Sequence, residues 1–233
     1  MPVSWRPCSP ERASPQAKEH WKHLVVSFKW PPTRQTGTKS QMSWGSASRS
    51  HSTLTSGIVI HPSIDACVQL KQRGVHPEQV ERIELQVHSL VLELTGKKEP
   101  TDGLAAKFSV YHGCAAGMIF GKAGEAEYDD SIVQRRDVIN LRRKVIATVN
   151  PDMDEAAVVA TAVLSNGERV EVAVEHAIGS LQRPMSNSDL ERKFHELADP
   201  VIDVERTTEL IDACWALSRS SDVRNLCMLM QPG

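Results

Sequence analysis

The sequence predicts an α+β domain, a small sheet with a hairpin and packed helices, followed by C-terminal helices and preceded by a disordered head. Three observations carry this reading. Two β-branched runs flank an Asn166-Gly167 turn, several segments bear the start and stop residues of helices, and the charge is unevenly divided. The 233-residue chain has a formal charge of -2. Residues 1–53, however, hold 8 Lys/Arg against 2 Asp/Glu, leaving 19 against 27 in the remainder. Four of the five tryptophans also fall in the first 50 residues. That basic head, with its run from Gln41 to Thr53, has too few branched apolar residues to offset the entropy of ordering it. The predicted organisation is a head over 1–56, an α+β domain over 57–200 and terminal helices over 201–233.

From residue 58 the pattern is orderly. His61 to Gly74 carries Pro62 in its first turn, apolar Ile64, Cys67, Val68 and Leu70, basic residues near its end and a final glycine, which predicts a helix. After a turn at Pro77 to Val80, Ile83, Leu85 and Val87 alternate with polar residues, the period of a half-buried strand. Val91 to Thr101 is expected to be a polar connection. Leu104 to Phe120 is the least polar stretch, and Gly113 and Gly117, four apart in a helix, suggest that another backbone or a ligand approaches that face. Asp137 to Lys144 reads as a short helix with cations at its negative end. Ala157 to Leu164 and Arg169 to Val174 form the hairpin, with Val145 to Val149 as its expected strand partner. Ser188 to Glu191 resembles a capping box opening a helix that stops before Pro200, and helices over 204–218 and 222–230 follow.

Several function classes are excluded or disfavoured. No stretch approaches the roughly 18 apolar residues of a membrane span, and the start lacks a secretory apolar run. The expected setting is the cytoplasm, with a mitochondrial location as the alternative because the head is Ser-rich, Arg-containing and poor in acids. Five scattered cysteines without a C-x-x-C pair signal neither a disulfide framework nor zinc. His195-Glu196-Leu197-Ala198-Asp199 is one substitution from a zinc motif but has no obvious third ligand. Gly117 to Ala123 is one residue short of a phosphate loop and lacks its Ser/Thr. The head's Lys/Arg are diluted by Ser, Thr and Pro, so neither nucleic acid nor membrane is expected as a partner.

Polar groups remain where the pattern does not require them. His61 lies at a helix N-terminus, a place that favours anions. Lys107, Ser109, Tyr111 and His112 put a cation, a hydroxyl, a phenol and an imidazole at the mouth of the most apolar helix. Such a set suits a carboxylate-rich substrate, with the cation holding carboxylates and the imidazole or phenol moving a proton. The ordinary alternatives are a helix cap for His61, a solvated charge for Lys107 and core residues for Tyr111 and His112.

Three ordered motifs carry a resemblance. Gly57-Ile58-Val59-Ile60-His61-Pro62-Ser63-Ile64-Asp65-Ala66-Cys67, then Gly103-Leu104-Ala105-Ala106-Lys107-Phe108-Ser109-Val110-Tyr111-His112-Gly113, then Asp189-Leu190-Glu191-Arg192-Lys193-Phe194 resemble the C-terminal half of the MmgE/PrpD family. That family includes 2-methylcitrate dehydratases and cis-aconitate decarboxylases. The resemblance implies a lyase without a cofactor, acting on a small polycarboxylate, with His61, Tyr111 and His112 as catalytic groups and Lys107 and Ser109 as substrate-binding groups. No metal is implied. Family members run to about twice this length and carry an N-terminal helical domain without a counterpart here. The family's lysine-x-aromatic-x-cysteine pattern is replaced by Ser52 to Ser56. The expected activity of this chain alone is therefore weak or nil. A rival reading is a non-catalytic interaction module or homodimer, since Leu210, Ile211, Trp215, Leu226, Met228 and Met230 give the terminal helices apolar faces.

Overall fold

The structure, a computed structural model, describes residues 58–220 and 222–231, so the expected disorder of the head lies outside the described residues. Among them, nine α-helices and one four-stranded sheet realise the predicted α+β class. Helix α1 spans His61–Gln72 and strand β1 Val80–Val87. Helices α2 (Ser89–Thr95), α3 (Gly103–Ala106), α4 (Val110–Phe120), α5 (Asp130–Val133) and α6 (Arg136–Arg142) lead to β2 (Val145–Val149). The hairpin strands β3 (Val158–Leu164) and β4 (Arg169–Val174) come next, and the chain closes with α7 (Asn187–Ile202), α8 (Val204–Trp215) and α9 (Arg224–Leu229).

The sheet order is β2-β1-β3-β4. β3 and β4 pair antiparallel through the predicted turn, where Gly167 has φ 85° and donates its N–H to Leu164 O. The expected pairing of 145–149 with that hairpin is corrected: β2 pairs parallel with β1, placing Val145 opposite Ile83, and β1 in turn pairs antiparallel with β3. The reason is the crossover. Helices α2 to α6 occupy the connection that a parallel pair requires, returning the chain to start beside β1 in the same direction. One sheet face, including Ile83, Leu85, Ala160 and Val172, is buried under helices, with α1 against β3 and β4. Burying these β-branched and apolar side chains is the main stabilising term of the body.

Three further expectations change. The polar connection at 91–101 begins as helix α2, because His88 Nδ1 accepts the Leu90 N–H and Val91 and Thr95, four apart, turn to the core. The apolar stretch from Leu104 divides into α3 and α4 at Lys107 to Ser109, where Ser109 caps α4 and bridges to Gly96. Helix α7 starts two residues earlier than expected, with Ser186 and Asp189 forming the capping box, and runs through Pro200. Proline forfeits one backbone bond there. The buried Ile202 anchors the last turn, and the chain reverses at Asp203, φ 65°, whose carboxylate caps α8. Cys67 and Cys114 are buried free thiols, Cys214 and Cys227 exposed ones. No described helix is long and apolar enough to cross a membrane.

Candidate functional site

Helices α1 and α4 lie side by side and point the same way. A Cβ on Gly113 would meet Ile64 Cγ1 at 2.9 Å, and one on Gly117 would meet Ile64 O at 3.0 Å and Cys67 Cβ at 3.4 Å. Further along, Lys71 Nζ donates to Ile119 O. First turn thus meets first turn and last meets last, so the glycine face read from the sequence receives the α1 backbone. The consequence is functional: both N-terminal ends, the positive ends of the helix dipoles, share one end of the pair.

That shared end carries His61, the first residue of α1, and Ser109, Tyr111 and His112 in the first turn of α4, all buried. The Ser109 hydroxyl is engaged: it accepts the His112 N–H at 3.1 Å and is fully enclosed. His112 Nε2 lies 2.9 Å from Glu127 O, so that nitrogen bears the proton and Nδ1 keeps its lone pair, without a hydrogen-bond partner. Burial pushes the imidazole below its usual range, and the nearby positive Arg142 adds to the shift, so His112 is neutral. Its ring tilts against Tyr128 at 5.1 Å between centroids.

Tyr111 takes a different environment. Its phenol is pushed above its usual range by burial and so stays protonated, and Lys98 Nζ stands 5.9 Å from the ring centroid. Lys107 forms an ion pair with Glu125 Oε1 at 2.9 Å, at the junction of α3 and α4. The structure therefore places His61 in the first turn of α1, and Ser109, Tyr111 and His112 at the start of the parallel α4, with Lys107 two residues before Ser109.

Sequence reasoning passed over Asp65, one turn after His61. Its carboxylate accepts from Arg183 Nη1 at 2.5 Å and from the Ile178 N–H at 3.3 Å, tying the segment after β4 to α1. An acidic residue near the start of a helix is a common pattern, and its partner lies more than a hundred positions downstream, so spacing gave no signal. The zinc-like pentapeptide resolves into a His195 Nδ1 to Asp199 Oδ1 contact at 2.9 Å. Among the described residues no group of three His, Cys, Asp or Glu could hold a metal.

Comparison with known proteins agrees with the three motifs. Residues 55–217 match the family model of the MmgE/PrpD C-terminal domain. Curated relatives include 2-methylcitrate dehydratases of Salmonella typhimurium, Salmonella typhi and Escherichia coli O157:H7, each 25% identical over 126 residues, 49% of this chain and 26% of the relative. The matched stretch thus spans about a quarter of each relative's length.

Proposed function

Since the chain belongs to the MmgE/PrpD family through its C-terminal domain, we propose that it carries one side of a lyase site for a small polycarboxylate such as 2-methylcitrate or cis-aconitate. The observation that carries this reading is the family match over residues 55–217, which includes every candidate residue. In a dehydration, a base takes the proton from the carbon next to a carboxylate, the C–O bond breaks, the C=C bond forms and an acid protonates the departing hydroxyl. A neutral imidazole with a free Nδ1, as His112 has, fits the base, and a protonated phenol, as Tyr111 has, fits the acid. His61 is the second proton carrier, Lys107 a carboxylate anchor at the rim, and Ser109 fixes the α4 turn that presents Tyr111 and His112.

The chain by itself is expected to turn over little or no substrate. Acid, base and anchors must converge within hydrogen-bond reach, whereas Lys107 is bound to Glu125 and His112 is fully enclosed. The same reading assigns the protein to the cytoplasm and to propionate catabolism. Purified chain, incubated with 2-methylcitrate and followed by the absorbance of the unsaturated product, tests the proposal. Dehydration by the chain alone at a rate comparable with the Salmonella typhimurium enzyme would overturn the one-sided site.

A second reading, a non-catalytic interaction or dimerisation module, is favoured by one observation. Phe194, Leu197, Val201, Val204, Trp215 and Met228 on α7 to α9 are all at least a third exposed, and Leu190, Phe194, Ile211, Cys214 and Trp215 line a shallow apolar cleft. Light scattering across a concentration series, with hydrophobic-dye binding beside it, separates the readings: a monomer at all concentrations that binds no dye counts against this one.

A further inference from the structure

Beside Tyr111 lies a cleft of about 250 Å³, lined by Lys98, Glu99, Tyr111, Arg142, Arg143 and residues 145–147 of β2. It is a little below the roughly 300 Å³ at which drug-sized ligand pockets begin. Its charges do not balance. Arg142 and Arg143 share one carboxylate, with Arg143 Nε 2.9 Å from Glu99 Oε1 and Arg142 Nη2 3.4 Å from Glu99 Oε2, while Lys98 makes no ion pair among the described residues and stands over the Tyr111 ring. Two positive charges remain over.

Arg142 is the unusual member. Its side chain is only 2% exposed, its Nη1 makes a long 3.3 Å contact to Val133 O, and its Nε has no hydrogen-bond partner. A buried guanidinium is costly unless its charge and its N–H groups are met. The adjoining strand β2 supplies backbone donors. Ile83 N–H bonds Lys144 O and Asn150 N–H bonds Val87 O, so in this parallel ladder the even-numbered residues of β2 face β1. Val145 and Ala147 therefore turn their N–H groups outward, and β2 is a sheet edge.

We propose that this cleft binds a small doubly charged oxyanion, a dicarboxylate or a phosphate, between the Lys98, Arg142 and Arg143 cations, the Tyr111 phenol and the outward amides of β2. A guanidinium fork matches either oxyanion in geometry, and the neutral phenol is a donor to it. This inference goes beyond the lyase reading and does not rest on it, because occupancy is measured without turnover.

The test uses the full chain, titrated calorimetrically with succinate and separately with inorganic phosphate, with neutral succinamide as control. Saturable binding of either anion is expected, and whichever binds identifies the class. Lys98→Gln and Arg143→Gln, both on exposed side chains, are each expected to weaken it roughly tenfold, whereas Lys122→Gln leaves it unchanged. Amide resonances of Val145 and Ala147 are expected to shift on titration. No saturable binding of either anion at millimolar concentration, or binding indifferent to the Lys98→Gln/Arg143→Gln double variant, overturns the proposal.

Discussion

The α1/α4 pair and the α7–α8–α9 arm are both built of helices but end in opposite states. In the pair, glycines bring two helices into backbone contact and nine of the eleven α4 residues are buried. In the arm, Ile202, Thr207 and Leu210 are the buried positions, and large apolar side chains such as Phe194 and Val204 face outward. Between arm and body, Lys122 Nζ approaches Glu196 Oε1 at 3.5 Å. Exposed pairs of that kind contribute about 0–1 kcal/mol. The comparison teaches that the body encloses its own core, whereas the arm presents a second apolar face that its neighbours within the described residues leave uncovered.

The sharpest way to break the comparison is to spoil the pair. Gly117→Leu places a side chain where even a Cβ lies 3.0 Å from a backbone oxygen, and is expected to cost ~3 kcal/mol or more, read as a lower urea midpoint. A tolerated leucine would show that the two backbones do not meet as described.

Acid acts on the same end of the pair. His112 is held neutral in the fold, with its pKa below the ordinary 6.5, so the unfolded chain takes up a proton first. Its contribution is complete above about pH 6.5 and is lost as pH falls through that value towards the folded one. Carboxylates such as Glu84 and Glu99, both held low by arginine hydrogen bonds, add their loss only below about 4.5. Urea midpoints at pH 7.5 and 5.5 should therefore fall more for the wild type than for His112→Gln. Equal falls would mean that His112 is not buried as the neutral form.

The arm should respond weakly in stability and strongly in association. Phe194→Ser and Leu197→Ser remove exposed apolar surface, with an expected change within ~0.5 kcal/mol each. Binding of a hydrophobic dye, or self-association by light scattering, should drop in the same variants. A large loss of stability would show that these side chains already have a core to sit in.

How much of this could be read beforehand depended on how local the cause was. The hairpin was legible because Asn166-Gly167 fixes the turn, and a close approach to one face of α4 because Gly113 and Gly117 sit four apart on an apolar helix, though not that α1 is what approaches. The parallel place of β2 was not, since it is decided by the helices of the crossover rather than by residues 145–149. Helix α2, with four apolar residues among its seven, was missed because the Gly96-Lys97-Lys98 and Pro100 that follow it were read together with it as one polar connection. Among the candidate site residues, His61 was legible as a helix start, whereas Ser109, Tyr111 and His112 stood out only as polar groups in an apolar stretch, and the break that puts them at the start of α4 was not. The state of His112 depends on a backbone oxygen at Glu127, and the cleft joins Lys98, Tyr111 and Arg142 from separate stretches, so neither left a pattern along the chain.

The central claim, a self-sufficient body with an uncovered arm, is tested most directly by native-state hydrogen exchange on monomeric protein at low concentration. The account predicts that amides of α1, α4 and β3 exchange only through global unfolding, while those of α7 to α9 exchange through local opening at much lower free energy. Protection of the arm equal to that of α1 and α4 in the monomer would contradict it.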